Sequence, residues 1–175
     1  MARRSGRTYK IEVLDSKHDR RGFSCGVADL DTYIRERAGQ DAKRHVAATF
    51  VLLDDTLIVL GYYTLSQRVI SLEDIPAALA KKLPRYPLLP ATLVGRLAIH
   101  RQRQGEGLGS LLLMDALHRS WWAAKMVASY AVRVDATDEK ARDFYLSHDF
   151  PPFPNERLKL FFPMADLDRL FSSDI

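Results

Sequence analysis

The chain has 175 residues, of which 47% are hydrophobic and 27% charged, with a formal net charge of +4. This length and composition are typical of one globular domain, expected over residues 1–175, and they exclude a disordered, collagen-like or coiled-coil chain. No apolar stretch reaches the roughly 20 residues that a membrane-spanning helix needs. Because Cys25 is the only cysteine, it can form no internal disulfide, and we expect a cytoplasmic protein without membrane contact.

Positive charge is concentrated in separate stretches of the chain. Basic residues cluster within 3–21, 35–44 and 81–103, whereas acidic residues dominate from residue 165 onward. The excess of positive charge is modest, so it permits an anionic partner such as nucleic acid without requiring one. For each cluster taken alone, a solvated surface is the favoured explanation.

The first half of the chain predicts a strand, a helix and a β-hairpin, in that order. Residues 8–14 alternate apolar and polar side chains, which predicts a strand, and residues 27–43 carry apolar side chains at helical spacing. Two β-branched and aromatic runs, 46–53 and 57–69, flank the turn pair Asp54-Asp55 and predict a hairpin.

The second half predicts further strands and helices, so the whole chain is expected to be a mixed α/β or α+β protein. A short helix expected at 71–83 ends at Pro84, and a strand expected at 93–100 leads through a polar stretch into a long helix after Gly109. The remaining expected elements are a strand at 129–135, a helix at 138–147, a strand at 158–162 and a closing helix at 165–171.

The polar stretch between the strand at 93–100 and the long helix carries the strongest chemical signal. It contains Gly105, Gly107 and Gly109, and the helix begins directly after it. The first turn of a helix has N–H groups without an intrahelical partner, and glycines let a large anion approach the backbone closely. The pattern predicts a site for a pyrophosphate group, although a tight turn without a ligand explains the glycines about as well.

Two motifs resemble those of the Gcn5-related N-acetyltransferases, the GNAT superfamily. Gln104-x-x-Gly107-x-Gly109 after the strand is similar to motif A, and the stretch from Asp135 to Phe150 is similar to motif B. The resemblance implies a GNAT fold, with a central, mixed and mostly antiparallel sheet of six to seven strands flanked by helices and splayed at an acetyl-CoA slot. It also implies N-acetyltransferase activity with acetyl-CoA as the cofactor.

A narrower resemblance is to the GNAT toxins of bacterial type II toxin–antitoxin modules. Toxins of this kind acetylate the amino group of an aminoacyl-tRNA and so block translation, and their antitoxins are usually ribbon–helix–helix proteins. The resemblance therefore implies an aminoacyl-tRNA substrate, a ribbon–helix–helix antitoxin and a homodimer. It is carried by Phe23-x-Cys25-Gly26-x-x-x-Leu30-Asp31, by Gly61-Tyr62-Tyr63-Thr64-Leu65-Ser66, by Gly95-Arg96-Leu97-Ala98-Ile99 and by Leu158-x-Leu160-Phe161-Phe162-Pro163-Met164.

The resemblance also implies site residues in three roles. Tyr145 is the expected general acid, the main chain of the strand and glycine turn is expected to hold acetyl-CoA, and basic side chains are expected to hold the acceptor. Asp138 stands where the family usually has asparagine, which weakens that cofactor contact, and no metal site is expected. The expected cofactor-binding residues are Leu97, Ala98, Ile99, Arg103, Gln104, Gly105, Glu106, Gly107, Leu108, Gly109 and Asp138, and the expected substrate-binding residues are Arg96, Lys81, Lys82, Arg85 and Arg101.

Two alternatives to the toxin hypothesis remain. One is a GNAT enzyme that acetylates a small amine or a protein N-terminus, and the basic clusters argue mildly against it. The other is a non-catalytic, acetyl-CoA-responsive module that binds nucleic acid, and Tyr145 and the intact glycines argue against that. No general base is evident, since His100 is expected at the surface or at the cofactor's edge and Cys25 is expected to be a packing thiol.

Overall fold

The structure is a computed structural model that describes residues 2–4 and 6–172. A helical segment between the first two helices has π-type hydrogen bonding and is called the π-turn, Tyr33–Arg37, below. The strands are β1 Ala2–Arg4, β2 Arg7–Val13, β3 Ala48–Leu53, β4 Gly61–Ser71, β5 Leu88–Ile99, β6 Ala131–Asp135, β7 Pro152–Phe153 and β8 Glu156–Pro163, and the helices are α1 Ala28–Thr32, α2 Ala38–Lys43, α3 Ala77–Ala80, α4 Leu108–Ala123, α5 Glu139–Leu146 and α6 Met164–Ser172.

The strands are hydrogen-bonded in the order β1-β2-β3-β4-β5-β6-β8-β7. Strands β5 and β6 run parallel, whereas the pairs β1–β2, β2–β3, β3–β4, β6–β8 and β7–β8 are antiparallel. The predicted mixed and mostly antiparallel sheet is therefore confirmed. Among the described residues the hydrogen-bonded order has eight strands when the three-residue β1, which pairs with β2, is counted. Both β1 and the two-residue β7 are too short to give a sequence pattern.

The chain divides into two compact units. Unit 1 comprises residues 1–66 and 95–116, and unit 2 comprises residues 67–94 and 117–175, so that β4 and β5 each contribute residues to both. No helix within 2–4 and 6–172 is long and apolar enough to cross a membrane.

Unit 1 packs its first helical segment on β3 and β4. The apolar spacing that predicted a helix over 27–43 is confirmed, with the π-turn as its middle part. The predicted hairpin is also confirmed, and Asp54 organises its turn by accepting bonds from the N–H and hydroxyl of Thr56. The core formed here contains Phe23, Tyr33, Ile34, Ala38, Val51, Leu53, Val59, Tyr62 and Ala98.

Unit 2 contains the parallel part of the sheet. Ala91–Val94 of β5 pair with Ala131–Val134 of β6, and β5 continues beyond this register to Ile99 while β6 ends at Asp135. The core of this unit contains Ile70, Ile75, Leu89, Ala91, Ala131, Phe153 and Phe161.

The helix predicted at 71–83 is largely wrong. A 3₁₀ turn at Leu72–Asp74 is followed by extended backbone at Ile75 and Pro76, and α3 covers only Ala77–Ala80. Proline lacks an N–H and disfavours helical backbone at the residue before it, so Pro76 can begin a helix but cannot lie inside one.

Candidate active site

The turn that leads into α4 has the backbone geometry of an anion site. Gly105 and Gly107 have φ of +82° and +76°, a region that residues with a side chain rarely adopt. A Cβ added at Gly105 would meet no heavy atom within 4 Å, so the backbone is open on that side. Helical bonding begins with the N–H of Leu111, which donates to the carbonyl of Gly107 at 3.3 Å, and the N–H groups of Leu108 and Gly109 precede it at the positive end of the helix.

The polar side chains of this turn are bonded to protein groups rather than directed only at solvent. Gln104 Nε2 donates to the carbonyl oxygens of Cys25 at 2.9 Å and Ile99 at 3.0 Å, which fixes the turn to the end of β5. Arg103 donates to Glu106 Oε2 at 2.9 Å and to the Tyr9 hydroxyl at 2.5 Å, and only 15% of its side chain is exposed. Because these side chains are already bonded within the protein, the main-chain N–H groups are the part of the turn best suited to bind a ligand.

Arg103 was expected to contact a cofactor phosphate. Its guanidinium also lies 3.8 Å from Asp54 Oδ2, so two carboxylates already balance its charge. A phosphate contact by Arg103 stays a prediction, whereas its role in holding the turn follows from its bonds.

The end of β5 lies against β4 at a glycine. A Cβ on Gly61 would stand 2.9 Å from the carbonyl oxygen of Ala98 and 2.7 Å from Ile99 Cδ1. Only glycine fits here without a shift of the β5 main chain, which explains the glycine in the β4 motif. Ala98 is buried, whereas Leu97 and Ile99 on either side of it are half-buried.

Arg96 rests on an aromatic platform within unit 1. Its guanidinium carbon lies 3.5 Å from the centre of the Tyr33 ring, and Tyr33 in turn stacks on Tyr62 with ring centres 6.3 Å apart. The Tyr33 hydroxyl donates to Asp41 at 2.9 Å, and burial, more than this bond, raises the pKa of Tyr33. Arg96 is therefore held in place by side chains distant in sequence, which sequence patterns did not reveal.

The residues beside the turn give no general base. His100 Nδ1 accepts a bond from the N–H of Gln102 at 3.2 Å, and its Nε2 donates to the carbonyl of Gly22 at 3.3 Å, so both ring nitrogens are engaged. Burial raises the pKa of the Cys25 thiol to about 11, which keeps it protonated at neutral pH. Arg101 binds Ser24, through its N–H to the carbonyl and through its guanidinium to the hydroxyl, and its side chain is otherwise exposed.

The predicted residues of unit 2 include Tyr145, which is 7% exposed on α5 between the rings of Phe144 and Phe150. Burial above all, and then the charge of Asp135, raises the pKa of the Tyr145 phenol. Among the described residues no hydrogen bond engages its hydroxyl. The phenol is thus protonated at neutral pH and has a donor hydrogen to give, which are the properties a general acid needs.

Asp138 closes the N-terminus of α5. Its carboxylate accepts a bond from the N–H of Ala141 at 2.8 Å, as an N-cap residue does. A cofactor contact by Asp138 stays a prediction, whereas the capping role is explicit in its bond.

The remaining predicted basic residues also belong to unit 2. Lys81 and Lys82 lie in the turn that ends α3, and Arg85 lies in the segment before β5. All three are exposed. Their role in substrate binding stays a prediction.

Comparison with known proteins gives close relatives. No protein-family model matches the chain. A tRNA-acetylating toxin of Mycobacterium tuberculosis (strain ATCC 25618 / H37Rv) is 36% identical over 162 residues, which are 93% of this chain and 95% of that toxin.

Solved structures share the fold over nearly the whole chain. AtaT complexed with acetyl-methionyl-tRNAfMet has a TM-score of 0.88 and 32% identity, covering 94% of this chain and 99% of that one. A tyrosine-to-phenylalanine mutant of the AtaT toxin, bound to the C-terminus of the antitoxin AtaR and acetyl-CoA, has a TM-score of 0.80 and 29% identity, covering 94% and 98%.

Proposed function

The chain belongs to the GNAT toxins of bacterial toxin–antitoxin modules, and on this premise we propose that it acetylates the amino group of an aminoacyl-tRNA and thereby blocks translation. The observation that carries the proposal is the near full-length similarity to a tRNA-acetylating toxin. The glycine turn before α4 adds a site of the right chemistry for the acetyl donor.

Acetyl-CoA, the cofactor of this enzyme class, supplies an acetyl group activated as a thioester. The structure fits it because the backbone at Gly105 is open and the N–H groups of Leu108 and Gly109 lie at a helix N-terminus. We propose that the main chain of the turn holds the pyrophosphate and that the main chain of β5 orients the pantetheine and the acetyl carbonyl. The residues involved are Leu97, Ala98, Ile99, Arg103, Gln104, Gly105, Glu106, Gly107, Leu108 and Gly109, with Asp138 at a further contact.

Tyr145 is the proposed general acid. A tyrosine phenol has a reference pKa of about 10, so Tyr145 is protonated at neutral pH and its hydroxyl can give a proton to the sulfur of the departing thiolate. The rings of Phe144 and Phe150 pack against the Tyr145 ring and hold it in position. This arrangement supports one proton transfer by one side chain.

The acceptor amine needs no protein base, because water can take the proton that the attacking amine releases and return one to the Tyr145 phenolate. An α-amino group has a pKa of about 7.7–8.0, so an appreciable fraction is already the free amine at neutral pH. Both nitrogens of His100 are engaged, and the Cys25 thiol stays protonated, which supports the same conclusion. Basic side chains are proposed to hold the phosphates of the acceptor stem, namely Arg96, Arg101, Lys81, Lys82 and Arg85.

The expected partners extend the proposal. We propose a ribbon–helix–helix antitoxin, a homodimer and a cytoplasmic location. Exposed apolar side chains on and just after the end of α4, at Trp122, Met126 and Val127, support a contact with another chain. Light scattering of the purified chain measures its molar mass and hence its oligomeric state. Met126→Lys combined with Val127→Lys should shift the equilibrium from dimer toward monomer.

A single domain over residues 1–175 is also proposed. It is supported by the fact that β4 and β5 each contribute residues to both compact units, so neither unit is a continuous piece of chain. Calorimetry should give one cooperative unfolding transition, whereas two separate transitions would contradict a single domain.

Acetyl transfer to purified charged tRNA tests the function. The protein is incubated with radiolabelled acetyl-CoA and either aminoacyl-tRNA, the same uncharged tRNA, or the free amino acid. The proposal predicts label in the aminoacyl-tRNA alone, and turnover that falls steeply as salt rises. Equal activity on the free amino acid would favour the small-amine enzyme, and acetyl-CoA binding without any transfer would favour the non-catalytic module.

A further inference from the structure

A cavity of about 550 Å³ within unit 1 is lined mostly by cationic side chains. Four of its lining residues carry a positive charge, and Asp19 is the one carboxylate among them. None of them was among the residues predicted to bind substrate. The lining residues are Ser16, Lys17, His18, Asp19, Arg20, Arg21 and Arg35.

The helical segment around the π-turn holds two of these arginines in fixed positions. Arg20 Nη1 donates to the carbonyl of Ile34 at 3.0 Å, and Arg35 Nε donates to the carbonyl of Asp31 at 3.2 Å. Each bond uses one of the five N–H donors of a guanidinium. The remaining N–H groups can still bind a second acceptor, such as a pair of phosphate oxygens. Side chains ordered before binding lose less entropy when a ligand arrives. π-type turns are also frequent at functional sites.

The other lining residues keep the cavity positively charged. Arg21 binds Asp19 with both Nε and Nη2, at 3.2 and 3.1 Å, and so neutralises the carboxylate. Buried His18 donates to Glu12 at 2.6 Å, which fixes the segment that carries the cations. Lys17 Nζ pairs with Glu12 Oε1 at 3.5 Å, and 54% of its side chain is exposed. A polyanion would therefore meet the guanidinium groups of Arg20 and Arg35, which are fixed by main-chain bonds, beside the exposed ammonium of Lys17.

Within unit 1, hydrogen bonds connect this cavity to the residues at the end of β5. The segment that lines the cavity continues to Gly22, which accepts the bond from His100, and to Ser24, which accepts the bonds from Arg101. The π-turn also carries Tyr33, on which Arg96 rests. The same short elements thus position both the cavity arginines and the cations beside β5.

We propose that this cavity binds backbone phosphates of the RNA substrate, away from the aminoacyl end. The inference rests on the proposed function, because it takes aminoacyl-tRNA as the substrate. Guanidinium groups match phosphate oxygens in geometry and charge. Among the lining residues only buried His18 has an aromatic ring, so the cavity offers no exposed ring on which a base could stack. Binding should therefore be independent of tRNA sequence and strongly dependent on salt.

A double substitution, Lys17→Glu with Arg35→Glu, gives the double variant that tests the cavity. The control variant with the same change in charge carries Lys43→Glu with Arg37→Glu, because Lys43 on α2 is also exposed and outside the lining. Arg37 is exposed on the same π-turn but does not line the cavity. Filter binding of uncharged tRNA over a salt series should show affinity about tenfold or more weaker for the double variant. The slope of log affinity against log salt should shrink by about 2, and the control should stay near wild type. Unchanged affinity and slope in the double variant would overturn the proposal.

A second substrate separates this inference from the proposed function. A short aminoacyl oligonucleotide ending in CCA has the reactive amine but lacks the stem phosphates. The double variant should acetylate it as fast as wild type, whereas its KM for full aminoacyl-tRNA should rise with little change in kcat. If the wild type acetylates neither substrate, the proposed function fails, and tRNA affinity alone decides the cavity. If the double variant keeps tRNA affinity but loses binding of polyglutamate, the cavity holds an acidic peptide and the proposal is wrong.

Discussion

Two strand–turn–helix segments of this chain share an order of elements and differ in how their helices begin. β5 leads into α4 through Gly105 and Gly107, and the residue directly before α4 has no side chain. β6 leads into α5 through Asp138, whose carboxylate bonds to the N–H of Ala141. The first helix therefore offers main-chain N–H groups to an external anion, whereas the second satisfies its own with a carboxylate.

The two segments accordingly contribute different things to the proposed reaction. The α4 segment contributes backbone, held rigid by the bonds of Gln104 and Arg103. The α5 segment contributes one side chain, Tyr145, which is buried and whose phenol is protonated at neutral pH. Two similar strand–turn–helix segments are thus proposed to have different roles, one in binding and one in proton transfer. The residue directly before each helix determines whether the N–H groups at its N-terminus are available to a ligand.

The largest expected effect comes from the side chain of α5. Tyr145→Phe should reduce turnover by about 10²–10⁴-fold, because it removes the proton donor and leaves the ring in place. Acetyl-CoA affinity should hardly change, as calorimetry can measure. A variant with near wild-type turnover would end the assignment of Tyr145.

The pH profile of the wild type gives a related prediction. The rate of acetyl transfer should show no decrease below about pH 9 that is due to ionisation of Tyr145, because its raised pKa keeps the phenol protonated there.

The next effect comes from the backbone of the α4 segment. Gly107→Asp places a carboxylate at a helix N-terminus that is proposed to hold pyrophosphate, so acetyl-CoA affinity should fall by at least about tenfold. Gly107→Asn is the matched control, because it has the same shape and similar tolerance of positive φ but no charge. Calorimetry should place the asparagine variant between wild type and Gly107→Asp. Undiminished binding of acetyl-CoA in both variants would mean that this turn does not hold the pyrophosphate.

A smaller effect is expected at the N-terminus of α5. Asp138→Ala removes the cap and should lower the free energy of unfolding by about 1 kcal/mol, whereas Asp138→Asn keeps a capping oxygen and should cost less. Denaturant unfolding measures both. If Asp138 acts only as a cap, acetyl-CoA affinity is the same in all three proteins. A clear loss of affinity in Asp138→Asn at unchanged stability would instead support the cofactor contact.

The smallest effect is expected at Cys25, whose carbonyl accepts a bond from Gln104 and whose thiol we expect to take no part in the reaction. Cys25→Ser should change turnover by no more than about twofold, since the serine keeps the main-chain contact. The thiol should react with iodoacetamide about a hundredfold more slowly than a free thiol at pH 8, because its pKa is raised to about 11. Rapid alkylation with loss of activity would point to a reactive thiol.

The sequence predicted the elements that repeat a pattern over several residues. The hairpin around Asp54, the first helical segment and the glycine turn were all visible in this way. The edge strands β1 and β7 were not, because two or three residues carry no period. Pro76 broke a helix whose apolar spacing looked continuous.

The site was predictable only where local chemistry determined it. The glycines before α4 indicated an anion site on physical grounds. The capping bond of Asp138 was not predicted, because the sequence resemblance pointed to this residue only as a cofactor contact. The platform under Arg96 and the bonds of Gln104 to Cys25 join residues far apart in sequence, so no local pattern could show them. The π-turn and the arginines around it were hidden for the same reason.

Mass spectrometry of the modified tRNA tests the central claim most directly. Aminoacyl-tRNA is incubated with acetyl-CoA and the protein and is then digested with ribonuclease. The mass of the terminal aminoacyl-adenosine is measured, and its fragmentation locates the acetyl group. The account predicts one acetyl group, placed on the α-amino nitrogen, with wild type and almost none with Tyr145→Phe. An unmodified aminoacyl-adenosine, or an acetyl group on any other atom of the tRNA, would contradict it.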